Sequence, residues 1–244
     1  LSGCSVTDDK MSILETNQPI QMTILTSYDG PLNKSFFLEQ SGQIKKTSNA
    51  FLKSGKAKRH HLDNLGDLES LVLSLTDCQC ISTGVFNSDE VMISSKPNQP
   101  KTLKRSKDNM HQPPVGLMLL DFDYCEDMPR EWNVTSPEDL ITLLRQNVPE
   151  FDNIEFFAAP SSSSLVRKID CGSEAPKKGF HLYFASEIAD FGAMKKYLEV
   201  KLWNAGLGYI KLARNGALLS RTLFDLSVLS QERLIFEALP TVGD

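Results

Sequence analysis

No stretch of this 244-residue chain approaches the roughly 18 consecutive apolar residues that a membrane span requires. The first 30 residues also lack the charged, apolar and small-residue order of a signal peptide, so a soluble intracellular protein is expected. The five cysteines (Cys4, Cys78, Cys80, Cys125, Cys171) are odd in number and scattered without a C-x-x-C pair, which suggests neither a disulfide framework nor a zinc knuckle. Aromatic residues make up only 8%, but 41% of the chain is hydrophobic and 23% charged, the balance of a protein that buries most of its apolar surface. Disorder throughout, collagen and coiled coil are excluded. At about 150 residues per domain, the length corresponds to one large domain or two small ones. The opening LSGCSVTDDK before Met11 reads as a processed start, so residues 1–19 are expected to be a tag or a disordered N-terminus.

The net charge of −5 argues against a uniformly basic nucleic-acid binder, yet the average conceals two basic islands. Between 34 and 61, Lys34, Lys45, Lys46, Lys53, Lys56, Lys58 and Arg59 face a single acid, Glu39, for a local charge of +6. Between 96 and 107, Lys96, Lys101, Lys104, Arg105 and Lys107 face none, for +5, so the rest of the chain must carry −16. Each island is either a solvated face or a surface that tracks a polymer of phosphates. A carboxylate cluster beside a basic island favours the second, because phosphates handled through metal ions need both signs of charge.

Residues 20–27 and 81–86 read as short strands and 65–75 as a helix, with apolar residues at 65, 68, 71, 72 and 75. These place an N-terminal α/β subdomain over 20–93. Residues 94–114, rich in Ser, Pro, Lys and Asn without an apolar period, are expected to be a basic loop leading into a second subdomain over 115–244. The two together would form one integrated domain. The unbroken apolar run at 117–120 predicts a strand buried on both faces, ending in Asp121 and Asp123. Ser136 is a helix N-cap, followed by Pro137, by Glu138 and Asp139 in the first turn, and by an apolar side of Leu140, Ile141, Leu143, Leu144 and Val148.

Strands are expected at 154–159 and 179–185, the second half-buried, with Phe180, Leu182 and Phe184 on one face and His181 and Tyr183 on the other. Asp190 caps a further helix that Gly206 ends, and short strands are expected at 208–213, 221–228 and 233–237. The order strand, helix, strand, strand, helix, strand over 115–228 is that of the split βαβ of ferredoxin-like and RNA-recognition-motif folds, an α+β arrangement with four antiparallel strands.

Asp121 and Asp123, at i and i+2 on a strand end, project on one face. They can share hard divalent cations through oxygen ligands, or simply close the strand as solvated turn residues. Asp225, between Phe224 and Leu226, is costly to bury in an apolar strand unless paired with Arg221 or Arg233 or bound to a metal. His181 follows Lys177 and Lys178 into an apolar strand, as either a satisfied core histidine or a phosphate contact. The serine run at 161–164 reads as a flexible loop.

The ordered set LMLLDFD, KKGFHLYF and ALLSRTLFDLSVLSQERLIFE resembles the primase-polymerases of the archaeo-eukaryotic primase superfamily, especially those of phages, plasmids and integrated elements. Their motifs are an acidic-x-acidic pair, a histidine strand usually written S-x-H, and a lone aspartate after an apolar residue. The likeness includes TSYDGPLNKSFFLEQSGQIKK and TLKRSKDNMHQPPVG, and covers nearly everything after about residue 20. It implies a catalytic sheet like that of the RNA-recognition motif with an additional N-terminal α/β unit. It also implies a DNA-directed primase or polymerase with two Mg²⁺ or Mn²⁺ ions on Asp121, Asp123 and Asp225. Such an enzyme joins NTPs or dNTPs to primers on single-stranded DNA in the replication of a mobile element.

By the same resemblance His181, Lys178 and Arg221 would contact the incoming nucleotide. Arg105, Lys107, Lys45, Lys46, Lys58 and Arg59 would grip the phosphates of template and primer, since a polymerase must accept any sequence. A helicase in the same or a neighbouring protein is implied, as is the cytoplasm of a bacterial or phage-infected cell. One departure is Gly179, which stands where S-x-H has serine, so any role of that hydroxyl is absent or moved to 161–164. The zinc-binding stem of many primases is lacking.

Three other readings compete. A replication-initiator nuclease needs H-x-H and a tyrosine nucleophile, whereas His60 and His61 are adjacent. A D-x-D glycosyltransferase would use DFD but leave the basic islands and Asp225 without a task. A catalytically inactive single-stranded-DNA or origin-binding module would retain salt-sensitive DNA binding and incorporate no nucleotide.

Overall fold

Strand β1 (Ile20–Ser27) buries Ile20, Met22 and Leu25 and is paired on both edges. It belongs to a computed structural model that describes residues 18–48, 51–96, 100–132, 134–166 and 179–243; the expected N-terminal tag, apart from Gln18 and Pro19, lies outside the described residues. β2 (Lys34–Leu38) and β3 (Ile44–Ser48) form a hairpin, and β4 (Ser54–Leu62) runs antiparallel to the whole of β1. Helix α1 (Asp67–Ser74) buries Leu68 and Leu71. β5 (Gln79–Ser82) takes the far edge of β1 at Thr23, Ile24, Leu25 and Thr26. β6 (Glu90–Ser94) and the short β7 (Thr102–Leu103) extend the sheet beyond β4, so the expected loop at 94–114 is not structureless.

The apolar run GLMLLDF forms β8 (Gly116–Phe122), with six of its seven residues buried. Alternation gives Met118, Leu120 and Phe122 to one face and Leu117, Leu119 and Asp121 to the other. The first face packs under α2 (Pro137–Asn147) through Leu140, Ile141 and Leu144. β9 (Phe157–Pro160) and β10 (Phe180–Ser186) complete the sheet, whose order is β7-β6-β4-β1-β8-β10-β9. Helix α3 (Phe191–Asn204) buries Met194, Leu198 and Leu202 in the same core as α2. It ends at Gly206, whose φ of +74° is the left-handed conformation that glycine adopts without strain. β11 (Gly208–Leu212) and β12 (Leu218–Thr222) make a separate hairpin, and β13 (Thr241–Gly243) lies parallel to β2. The fold is mixed α+β, and no helix among the described residues is long and apolar enough to cross a membrane.

Four expectations need correction. The segment 221–228 is not a strand: β12 stops at Thr222 and Leu226–Val228 is a 3₁₀ turn. Side chains outcompete the ladder there, because Thr222 Oγ1 donates to the Phe224 carbonyl at 2.8 Å and the Asp225 carboxylate accepts from the Ser227 amide at 3.0 Å. The expected fourth strand of the split βαβ is therefore missing from the sheet, and β1 holds the place beside β8. Residues 233–237 contribute only an isolated bridge, Ile235 to Ile81. β10 is buried on both faces rather than half-buried.

The sheet forks. β8 meets β1 only at Gln21, in parallel, while β5 occupies the rest of that edge. Residues 225–237 fill the fork, starting at the end of β8, where the Asp225 amide donates to the Asp121 carbonyl at 2.7 Å. They reach β5 through the two Ile81–Ile235 backbone bonds of 3.0 and 2.9 Å.

Helix α2 begins with a full capping box, Ser136 Oγ accepting from the Asp139 amide at 3.2 Å and Asp139 Oδ2 accepting from the Ser136 amide at 3.0 Å. Ser136→Ala should lower the unfolding free energy by about 1 kcal/mol, read as a lower denaturant midpoint at unchanged slope.

Candidate active site

The site assembles at one end of β8. Asp121 is the Cα partner of His181 on β10, Asp123 follows just past the strand, and the Asp225 turn is bonded to the Asp121 backbone. All four side chains line one cavity of about 760 Å³. Lys34 and Lys46 enter it from the β2–β3 hairpin, and Arg105 and Lys107 from the segment after β7. Eight residues that the sequence singles out, three acids, the histidine and two lysines or arginines from each island, thus line one cavity.

His181 is buried between two carboxylates. Its Nδ1 bonds Glu237 Oε1, and its Nε2 lies 3.4 Å from Asp121 Oδ1. Burial disfavours the imidazolium, but the charge of Glu237 and the contacts with Asp121 outweigh it and raise the pKa to about 10. The two carboxylates thus favour the protonated ring. Tyr183, on the same face of β10, donates its hydroxyl to the same Glu237 oxygen. Its own ionisation is pushed far up by burial and by that carboxylate, which keeps it a donor.

Asp123 has its pKa raised by burial and by Asp121, against the pull of Lys34, Lys46 and His181. Lys34 is lowered by burial and by Lys46, against the pull of Asp123 and Asp121. Asp121 Oδ1 is buried with no hydrogen-bond donor among the described residues, since the 3.4 Å approach of His181 is an ion pair without hydrogen-bond geometry. A buried acceptor without a donor, beside a carboxylate that resists ionisation, fits a hard divalent cation bound through oxygen. Among the described residues no three His, Cys, Asp or Glu are placed so that together they could hold a metal ion.

Other expected contacts fall elsewhere. Lys45 points away from Lys46 by strand alternation and pairs with Glu39 at 3.5 Å. Arg59 is held by Asp89 at 3.2 Å and by the Phe86 carbonyl, and neither it nor exposed Lys58 lines the cavity. With Lys195, Arg221 lines a smaller cavity of about 130 Å³, which has Asp225 and Ser227 in common with the larger one. Arg105 donates to the Glu232 carbonyl, so its head group is partly used in holding the fold. Lys178 lies outside the described residues. The sequence pattern puts Tyr183 on the His181 face but does not point to Glu237, the buried acid that both side chains meet.

The serine run is a 3₁₀ turn, Ser162–Leu165, not a flexible loop. Ser164 Oγ accepts from the Gly179 amide at 2.8 Å, and Ser161 Oγ lies 3.0 Å from it. A Cβ on Gly179 would come within 2.8 Å of both the Phe122 carbonyl and Ser161 Oγ, and 3.2 Å of Asp123 Oδ1. A serine does not fit at 179 in this backbone, and Ser161 brings a hydroxyl to the place instead.

The chain matches no family model, no curated protein and no solved structure. Gly179→Ala should cost about 1–3 kcal/mol in a denaturation experiment, the range for overpacking, because a backbone oxygen cannot yield as a side chain can.

Proposed function

We propose that this chain is the catalytic portion of a primase-polymerase with the archaeo-eukaryotic primase fold. It would extend or synthesise primers on single-stranded DNA by nucleotidyl transfer. The reading is carried by one observation: Asp121, Asp123, Asp225 and His181 share a cavity with Lys34, Lys46, Arg105 and Lys107. It also draws on the order of the three sequence motifs.

In this reading Asp121, Asp123 and Asp225 hold two Mg²⁺ or Mn²⁺ ions, which when bound activate the primer 3′-hydroxyl and neutralise charge on the triphosphate. The rest falls to the protein. His181, buried in the cavity wall, meets the nucleotide's phosphates through Nε2 and stabilises charge on the departing pyrophosphate. Lys34 balances Asp123 on the other side. Lys46 and Lys107 bind backbone phosphates without reading bases, as any template must be accepted. Helicase activity would come from another domain or protein.

The deciding assay is primer extension with and without Mn²⁺, beside an unprimed template. Asp121→Ala, Asp123→Ala and Asp225→Ala should each abolish metal-dependent incorporation and leave most DNA affinity, because removing clustered negative charge relieves repulsion of the polyanion. Salt-sensitive DNA binding by the wild-type chain with no incorporation would turn the assignment to an inactive binding module.

Lys107→Ala should reduce the slope of log affinity against log salt by about one unit, the value for one lost phosphate contact. Lys58→Ala, outside the cavity, should leave the slope unchanged.

A further inference from the structure

We propose that Glu237, held in turn by Tyr183, is the positioning residue of this site and fixes the His181 ring so that Nε2 faces the cavity beside Asp121. What His181 does with that orientation rests on the nucleotidyl-transfer reading; the orientation itself rests on geometry. A single oxygen, Glu237 Oε1, receives both the Nδ1–H of His181 and the hydroxyl of Tyr183. The two donors are two residues apart on β10 and so lie on one face. Glu237 reaches them from the segment that the Ile81–Ile235 bonds pin inside the fork of the sheet.

All three are buried, with 5% of His181, none of Tyr183 and 8% of Glu237 exposed. His181 lines the cavity, whereas Glu237 and Tyr183 do not, so neither touches a substrate there except through the imidazole. An imidazole in a wall can present either nitrogen, and the partner on one nitrogen decides what the other offers. A charged acceptor on Nδ1 makes that choice more strongly than a neutral one. Tyr183 then stops the carboxylate from turning away, since a second donor on the same oxygen holds it in place.

The test uses the full chain with Glu237→Gln, Glu237→Ala and Tyr183→Phe beside His181→Ala. In protein with ¹⁵N-labelled histidine, the ring Nδ1–H resonance is identified by its loss in His181→Ala. It should move in Glu237→Gln and, by less, in Tyr183→Phe; a resonance unmoved in Glu237→Gln overturns the proposal. In steady-state primer extension, Glu237→Ala should raise the nucleotide KM by about 10- to 100-fold, as when the carboxylate that orients a functional histidine is removed. DNA affinity should not change. The double variant Glu237→Ala, His181→Ala should be no worse than His181→Ala alone, whereas additive losses would contradict positioning through the ring.

If the wild-type chain incorporates no nucleotide while the resonance still follows Glu237, the polymerase reading fails and the positioning role stands. Incorporation that is lost in His181→Ala but normal in every Glu237 variant refutes the positioning role alone. Glu237→Gln and Tyr183→Phe keep side-chain volume, so both readouts survive if Glu237→Ala does not fold.

Discussion

A histidine cation sits inside a protein only where acids reach it, and at His181 they come from two directions, Asp121 on the neighbouring strand and Glu237 on the C-terminal segment. Uncovering either charge is expensive, because breaking a buried pair typically costs about 3–5 kcal/mol through the charge left behind. The exposed Lys45–Glu39 pair carries no such constraint. Residues 225–237 are therefore tied electrostatically as well as by backbone bonds. The fork between β5 and β8 is closed by a segment whose acid has to arrive there.

The grouping of the three acids follows from that closure. With the segment held, the Asp225 amide bonds the Asp121 carbonyl and brings a third carboxylate to the end of β8. The hairpin of β2 and β3 and the segment after β7 then supply cations around three acids, which is how a chain of net charge −5 gathers positive charge at this one cavity. Burial raises the pKa of Asp123 and lowers that of Lys34 for the same reason, loss of water, and each partly offsets the other.

Much of the scaffold was legible because it obeys local rules. A short run of apolar residues with no polar face suits a doubly covered strand, and Ser136 with Pro137 and Asp139 marks a helix start. The Asp121 and Asp123 pair was visible for the same reason, as period two keeps i and i+2 together. What escaped depends on contacts between distant residues. Asp225 looks like a strand residue until the short-range bonds of Thr222 and Asp225 close a turn. β10 looks half-exposed because the acid that satisfies His181 and Tyr183 lies more than fifty positions away. The place of β1 beside β8, where a C-terminal strand was expected, is a choice between equally apolar partners that no local pattern records.

The most direct measurement is anomalous scattering from crystals of the chain grown with Mn²⁺ and a non-hydrolysable nucleoside triphosphate. The assignment predicts two manganese peaks about 4 Å apart, within ligand distance of Asp121, Asp123 and Asp225, with the triphosphate against His181. Manganese absent from that cavity, or bound only at sites remote from the three carboxylates, would contradict it.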